Sequence, residues 1–231
     1  MTPDTSTRVA PAVCLALALL LVVSAWAADV VIVEDWTKPK LGAKGIPDGW
    51  KSGQMWGLPK HDFTIVENEG HRALHLRSEG DSSMITKELD GAVNLKSTPV
   101  LEWRWMAVTL PKGADARSRQ TDDQAAQLYV VWPRFPQEFR SRIIGYIWDT
   151  QAPEGLVVKS QKALTVTYIV VRSGPAELGK WLTERRNVVE DYKKLYGEPP
   201  DKPGALSIAI DSDDTNSSAE SFFGPIVFTK P

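Results

Sequence analysis

The chain has very little cysteine and histidine, the residues that most often build covalent and metal sites. It contains 1 cysteine and 3 histidines in 231 residues. Cys14 lies inside an apolar run at 10–23, so a chain that loses this run has no thiol for a disulfide, a nucleophile or a metal. The histidines, His61, His71 and His75, lack the HxxxH and HExxH spacings of metal ligands. Thiol chemistry is therefore excluded for the cleaved chain, and the common zinc motifs are absent from the sequence.

Neither sign of charge dominates. The chain has 27 basic and 29 acidic residues and a formal net charge of −2. No basic patch stands out, so we do not expect nucleic acid as a partner. The sequence also lacks a GxSxG elbow and a glycine-rich phosphate loop. It carries no named catalytic motif, and we assign no catalytic residues.

The first residues have the pattern of a secretory signal peptide. The single basic residue Arg8 precedes the apolar run, which ends at Ala25-Trp26-Ala27. We predict cleavage after Ala27, with 1–27 as the signal peptide and the protein periplasmic or secreted. The run is shorter than the about 20 residues of a membrane span, although an uncleaved anchor is the alternative. No later segment is apolar enough to span a membrane.

The remainder, 28–231, is predicted to be one mainly β domain. Short apolar or alternating segments are separated by turn residues, which is typical of strands. These segments are 30–33, 63–67, 73–77, 84–89, 100–108, 125–132, 143–148, 164–171, 206–210 and 221–228. Many strands with short turns favour an antiparallel β-sandwich, jelly-roll-like in topology.

Two segments allow specific predictions, one about a turn and one about the two faces of a strand. Asn68-Glu69-Gly70 separates two strands and predicts a hairpin in which Gly70 has a positive φ. In 100–108, Trp103 falls on the opposite strand face from Glu102 and Arg104.

One amphipathic helix is predicted at about 181–196. Its apolar residues recur at three- and four-residue spacing from Trp181 to Tyr196. Gly197 and the two prolines after it end the pattern. A single helix cannot supply repeated βαβ crossovers, which disfavours a parallel sheet.

Polar and aromatic side chains share a strand phase in the middle of the sequence. Flat aromatic rings stack on the C–H face of a sugar, and planar polar groups bond its hydroxyls. We therefore predict a glycan-binding sheet face, unless a loop or the helix covers it. The predicted ligand-binding residues are Glu102, Arg104, Asp122, Asp123, Gln127, Tyr129, Tyr146, Trp148 and Arg172. The 8 tryptophans left after cleavage, of the chain's 9, should include some with an indole face open to solvent or ligand.

An acidic motif, DSDDTN at 211–216, resembles a calcium loop. It lacks the glycine and the final glutamate of an EF-hand, because those positions hold Asn216 and Phe222. If a cation binds, Asp211, Asp213 and Asp214 are the predicted ligands. The alternative is an exposed polar turn with no cofactor.

Four segments of this chain resemble a bacterial family known as domain of unknown function 3047. They are TDDQAA at 121–126, YIVVRSG at 168–174, Trp181 with RNV at 186–188 and DY at 191–192, and the motif at 211–216. The resemblance implies an exported protein with a sandwich similar to galactose-binding jelly rolls. Its recurring polar positions are Asp122, Asp123, Arg172, Asp211, Asp213 and Asn216, and it implies no activity.

We expect an exported, non-catalytic sandwich that binds a glycan or a cell-envelope polymer. One alternative is a polysaccharide hydrolase or lyase, in which Asp122, Asp123 or Glu102 acts as acid or base. This alternative needs two carboxyls in one cleft. Another alternative is a periplasmic structural or assembly protein, whose protein partner the sequence does not identify.

Overall fold

The computed structural model of the chain describes residue 1 and residues 30–53 and 59–231. The predicted signal peptide after Met1, its cleavage site and Trp56 lie outside the described residues. In the described part of the chain, neither helix is long and apolar enough to cross a membrane.

The described residues form thirteen strands and two α-helices. The strands are β1 (Val30–Glu34), β2 (Lys51–Ser52), β3 (Asp62–Asn68), β4 (His71–Glu79), β5 (Ser82–Glu88), β6 (Val100–Thr109), β7 (Ala126–Trp132), β8 (Arg142–Asp149), β9 (Val157–Lys159), β10 (Val166–Ser173), β11 (Leu182–Asn187), β12 (Ala205–Asp211) and β13 (Ser218–Thr229). The helices are α1 (Gln137–Arg140) and α2 (Val188–Tyr196).

The strands form two stacked sheets, which confirms the predicted β-sandwich. Sheet A has the order β11-β6-β13-β4-β3, with β1 paired to the second half of β13. Sheet B has the order β2-β5-β12-β7-β8-β10-β9. Pairing is antiparallel among the described strands except between β8 and β10, which are parallel. Residues 150–165 connect these two strands and are long enough for the crossover that parallel pairing requires.

The core lies between the sheets and is rich in aromatic side chains. Trp103 and Trp105 point inward from β6 and are 0% exposed, whereas Glu102 points outward. Trp103 contacts Tyr146 of sheet B with ring centroids 5.3 Å apart. The alternation predicted for 100–108 is therefore confirmed.

A second apolar layer covers the outer side of sheet B. Tyr129, Ile147 and Tyr168 pack there with Ala116 and Ala152 from two covering loops. The strands β7 and β8 are thus buried on both faces. This burial explains why the sequence of β7 is almost continuously apolar instead of alternating.

The segment between β1 and β3 also contributes aromatic core. Trp36 and Trp50 stack with ring centroids 5.6 Å apart, and Trp36 is 0% exposed. Both bond to the buried Glu34, which accepts from the backbone N–H of Trp36 and from the indole N–H of Trp50. Among the described tryptophans beyond the predicted cleavage site, only Trp181 is not buried, so the expected open indole faces are largely absent.

The hairpin at Asn68-Glu69-Gly70 is as predicted. Glu69 has φ of 50° and Gly70 has φ of 76°, and the turn joins β3 to β4 in register. Positive φ at both central residues is the geometry whose twist matches that of two antiparallel strands.

The single long helix is confirmed but is shorter than the predicted 181–196. Residues 182–187 form the strand β11, and α2 begins at Val188. Asn187 caps the helix by accepting hydrogen bonds from the backbone N–H groups of Val189 and Glu190. The helix ends at Gly197, which has φ of 75°, as predicted.

Candidate functional site

The strand face predicted to bind a glycan is divided between the two sheets. Glu102 and Arg104 lie on β6 in sheet A, whereas Gln127 and Tyr129 lie on β7 in sheet B. The neighbours of β6 are β11 and β13, so neither β7 nor β8 lies beside it in a sheet. The grouping of these residues on one face is therefore wrong. Alternation gives the side of a strand on which a residue lies, but not the strand's neighbours.

Tyr146 and Trp148 are core residues. Both lie between the sheets, with Tyr146 0% and Trp148 1% exposed. Their strand is buried on both faces, so the alternation within it does not separate core from solvent. Their assignment to an open polar face is corrected.

Gln127 and Tyr129 are buried on the outer side of sheet B. The Tyr129 hydroxyl donates to Oε1 of Gln127. Tyr129 and Tyr168 pack over Gly145, where a β-carbon would lie 2.8 Å from Tyr129 Cε1 and 2.9 Å from Tyr168 Cδ1. Burial raises the pKa of both tyrosine hydroxyls. These rings fill the space beneath the covering loops and offer no open face to a sugar.

Glu102 and Arg104 make separate contacts on the outer face of sheet A. Glu102 Oε2 accepts a hydrogen bond from Arg185 Nη1 at 2.7 Å. The Arg104 guanidinium lies 5.3 Å from the centroid of the Trp181 ring, a cation–π contact. The Trp181 indole N–H donates to Asn68 Oδ1 at 2.9 Å.

A cleft of about 340 Å³ opens where an edge of sheet A faces an edge of sheet B. Its walls come from β11, β10, α2 and the segment before β9. We name it the edge cleft. The ionisable residues that line it are Glu154, Arg172, Glu184, Arg185, Arg186, Asp191 and Lys194. Arg172 is thus the one predicted ligand-binding residue in its lining. Glu102 is not part of the lining but bonds to Arg185, which is.

Glu184 is held at the edge cleft from two sides. Its carboxylate accepts from Arg172 Nε at 2.7 Å and from Arg172 Nη2 at 3.1 Å. The indole N–H of Trp105, which comes from the core, donates to the same carboxylate at 3.1 Å. This bidentate pair joins sheet B to sheet A, because Arg172 lies on β10 and Glu184 on β11.

Asp191 has an equivalent arrangement at the start of α2. It accepts from Arg186 Nη2 at 2.5 Å and Arg186 Nε at 2.9 Å, and from the Tyr146 hydroxyl at 2.9 Å. A carboxylate in the first turn is also favoured by the helix dipole. Burial, and then the charge of Asp191, raises the pKa of the Tyr146 hydroxyl, so Tyr146 remains a proton donor.

A second cluster lies where residues 122–124 meet the turn between β12 and β13. Burial raises the pKa of Asp122 to about 6, against the hydrogen bonds donated by Gln124 and Ser160, which favour its charged form. Asp123 points to the turn and accepts from the backbone N–H groups of Asp214 and Thr215 at 3.1 and 2.7 Å. Glu102 lies on the outer face of the other sheet. The three carboxyls predicted for acid–base work therefore do not share one cleft.

The turn brings three carboxylates together with a lysine. One oxygen from each of Asp123, Asp213 and Asp214 lies within 4.8 Å of the others, an arrangement that suits an oxygen-binding cation. Lys162 Nζ contacts Asp214 Oδ2 and lies 3.9 Å from Asp213 Oδ1. An ammonium group therefore already neutralises part of this cluster.

Asp211 stands apart from that set. Its Oδ1 accepts from the backbone N–H of Asp213 at 3.4 Å. Burial, followed by the nearby Asp213 and Asp123, raises the pKa of Asp211 to about 10. The calcium site at Asp211, Asp213 and Asp214 stays a prediction. Asp123 is the carboxylate of this cluster that the sequence analysis did not include among the metal ligands.

We expect Lys162 to be the counter-ion of this cluster. Lys162→Met leaves Asp213 and Asp214 without their cation, so the melting temperature should fall. Millimolar calcium should then restore it, while leaving that of the unsubstituted protein unchanged. Thermal unfolding with calcium or with a chelator measures both effects. Equal calcium stabilisation of both proteins would instead favour a calcium site that includes the wild-type carboxylates.

The sequence matches the family described as "Protein of unknown function (DUF3047)" over residues 48–227. The chain belongs to this family. The predicted resemblance is thereby confirmed, and the match includes both the edge cleft and the aspartate cluster. No curated protein matches the sequence.

Several solved structures share a distant likeness of fold with this DUF3047 protein. The family 11 carbohydrate-binding module of the cellulase Lic26A-Cel5E of Clostridium thermocellum is 9% identical, with a TM-score of 0.47 over 89% of this chain and 97% of that one. TmCBM27, a carbohydrate-binding module described for specific mannan recognition, is 12% identical, with a TM-score of 0.40 over 88% and 99%. The xyloglucanase domain of NopAA from Sinorhizobium fredii is 11% identical, with a TM-score of 0.41 over 84% and 97%.

Sequence reasoning missed most of the edge cleft of this DUF3047 protein. Glu184, Arg185 and Arg186 were placed in a helix, so their alternation along an edge strand was not considered. One available signal was Asn187 followed by Glu190, the spacing of a capping box, which predicts a helix that begins at Val188.

Proposed function

We propose that this DUF3047 protein is an exported, non-catalytic domain that binds a glycan or a cell-envelope polymer in the edge cleft. The proposal includes the periplasmic or secreted location predicted from the first residues of the sequence.

The observation that carries the proposal is the fixed orientation of polar groups in the edge cleft. Arg172 and Arg186 are each held in a plane by a bidentate carboxylate, and each carboxylate is anchored by an aromatic donor from the core. Groups that are already ordered lose little conformational entropy when a ligand binds.

The shape and chemistry of the cleft also suit a sugar. Planar guanidinium groups can donate hydrogen bonds to neighbouring hydroxyls of a sugar ring. Val171 and Leu195 line the same cleft and offer apolar contact to the C–H groups of the ring. Ligand sites commonly combine such apolar lining with a few fixed polar groups.

Titration with a broad panel of envelope and plant oligosaccharides tests the proposal, with tryptophan fluorescence as the readout. Trp105 donates to Glu184 in the wall of the cleft, so a bound sugar should alter its emission. Arg185→Ala removes a side chain at the border of the cleft that is 52% exposed and bonds Glu102, and we expect it to weaken binding several-fold.

Arg117→Ala is the matched control. Arg117 is 51% exposed and pairs with one carboxylate, Asp115, but it does not line the edge cleft. This variant should bind as the unsubstituted protein does. No fluorescence response across the panel, or equal loss in the two variants, would refute glycan binding in the cleft.

One observation favours the structural or assembly role as a second candidate. Phe135 and Phe139 are 87% and 82% exposed in the connection between β7 and β8. Large exposed apolar side chains often mark protein interaction sites. A stoichiometric partner that is lost in the Phe135→Ser/Phe139→Ser variant, together with an edge cleft that binds no glycan, would support this role instead.

A further inference from the structure

We infer that the ligand of the edge cleft is an acidic glycan, one whose sugars carry carboxylates. This inference rests on the proposed function and adds the chemical class of the ligand.

The two buried carboxylates in the cleft have little capacity left for a ligand. Glu184 accepts hydrogen bonds from two nitrogens of Arg172 and from Trp105. Asp191 accepts from two nitrogens of Arg186 and from Tyr146. Their side chains are only 7% and 10% exposed. A ligand that relied on donating hydrogen bonds to these oxygens would have to displace existing partners.

The donors at the cleft are more available than the acceptors. The pairing of Arg186 with Asp191 uses Nε and Nη2 and leaves Nη1 outside it. Arg185 bonds Glu102 through Nη1 alone and is half exposed. Lys194 lines the cleft, and its side chain makes no hydrogen bond or ion pair with a described residue. The cleft thus offers an ammonium group and guanidinium N–H groups that lie outside these pairs. They favour a ligand with many hydrogen-bond acceptors.

The charges around the cleft are close to balanced, so the donors left outside the ion pairs, and not an excess of positive charge, decide which ligand fits. Four cationic side chains and three carboxylates line the cleft, and Arg172 and Arg185 also pair with Glu177 and Glu102 beside it. Guanidinium groups bind carboxylates in a bidentate geometry that hydroxyl groups of a neutral sugar do not match. Glu154 is the one lining carboxylate without a hydrogen bond to a described residue, and it should oppose an anionic ligand.

The experiment uses two matched pairs of probes. Oligogalacturonate is compared with its methyl ester, which has the same backbone and length without the charge. Xylan oligomers with glucuronate branches are compared with unbranched xylan oligomers. We expect an acidic probe to bind at least tenfold more tightly than its neutral partner, and its affinity to fall as sodium chloride is added.

Two variants that each remove one charge, with opposite expected effects, test the role of the lining charges. Lys194→Gln should weaken binding of the acidic probe several-fold, and Glu154→Gln should strengthen it. Neither substitution should change binding of a neutral probe. Both positions are at the rim of the cleft, so the fold should be retained, which circular dichroism checks.

The outcomes separate the two proposals. Preference for the acidic probe, with opposite effects of the two variants, supports the inference. Equal binding of an acidic probe and its neutral partner overturns the inference and leaves glycan binding intact. Absence of binding to all four probes and to the wider panel overturns both.

Discussion

Replacing Glu184 by alanine is expected to lower the free energy of unfolding by about 3–5 kcal/mol, the range for removing one partner of a buried ion pair. The side chain of Glu184 is 7% exposed, and that of Arg172 is 25% exposed. The substitution leaves the Arg172 guanidinium with Glu177 as its remaining partner and leaves the Trp105 indole N–H without its acceptor. Urea unfolding followed by tryptophan fluorescence measures the change.

A double substitution distinguishes the contribution of the ion pair from the cost of leaving one of its charges buried and unpaired. In Arg172→Met/Glu184→Met, neither charge remains to be desolvated, and the flexible methionines can fill the same space. Replacing both members of a buried ion pair by apolar residues is often nearly neutral. We therefore expect the double variant to recover part of the stability lost in Glu184→Ala, because the Trp105 indole N–H stays without its acceptor, while losing ligand binding.

Glu102→Ala is the control for the loss of a carboxylate on the neighbouring strand. Glu102 and Arg185 are 32% and 52% exposed, and such surface pairs contribute about 0–1 kcal/mol. Equal destabilisation by Glu102→Ala and Glu184→Ala would show that burial does not increase the contribution of the Glu184 pair to the free energy of unfolding. Recovery of no stability in the double methionine variant would contradict the ion-pair explanation.

The β-sandwich could be predicted from the sequence because the patterns that mark strands and turns lie within short segments. Alternation in β6 separates Trp103 from Glu102, and the hairpin residues specify their own turn. The error at 181–187 arose because Glu184 and Arg186 point into the space between the sheets. An edge strand with charged inward positions has no apolar alternation, and the helical spacing of its neighbours then dominates the pattern.

The sites were harder to predict because they depend on contacts between distant segments. The motifs at 121–126 and 211–216 were identified, and the structure brings Asp123 to the N–H groups of Asp214 and Thr215. Nothing local indicates that Lys162 joins them. In the same way, Tyr146 reaches Asp191 only because β8 lies opposite the start of α2.

The stability of the protein should depend strongly on pH through Asp211. Burial raises its pKa to about 10 in the folded state, against about 3.9 in an unfolded chain. The folded state therefore keeps a proton that the unfolded state releases, and stability should fall as pH rises from about 4 to about 10. Asp122, with a pKa raised to about 6 by burial, acts in the same direction between about pH 4 and 6.

Asp211→Asn should remove most of this dependence. The amide is neutral at every pH and has nearly the shape of the protonated carboxyl, so it fits the folded state without the proton uptake that Asp211 requires on folding. Each unit between the two pKa values corresponds to about 1.4 kcal/mol. The variant should equal the unsubstituted protein near pH 4 and exceed it near pH 7 by an amount on the order of 4 kcal/mol.

Urea unfolding of both proteins at several pH values, with a chelator present, gives this difference directly. Asp62→Asn is the control, because Asp62 is 52% exposed and pairs only at the surface with Arg77. Its difference from the unsubstituted protein should stay small across the range. A difference for Asp211→Asn that does not grow with pH would refute the raised pKa. The same comparison is then repeated with calcium in place of the chelator. If Asp211→Asn is less stable than the unsubstituted protein only in calcium, Asp211 is an ionised ligand of that cation, since a bound cation favours the charged carboxylate.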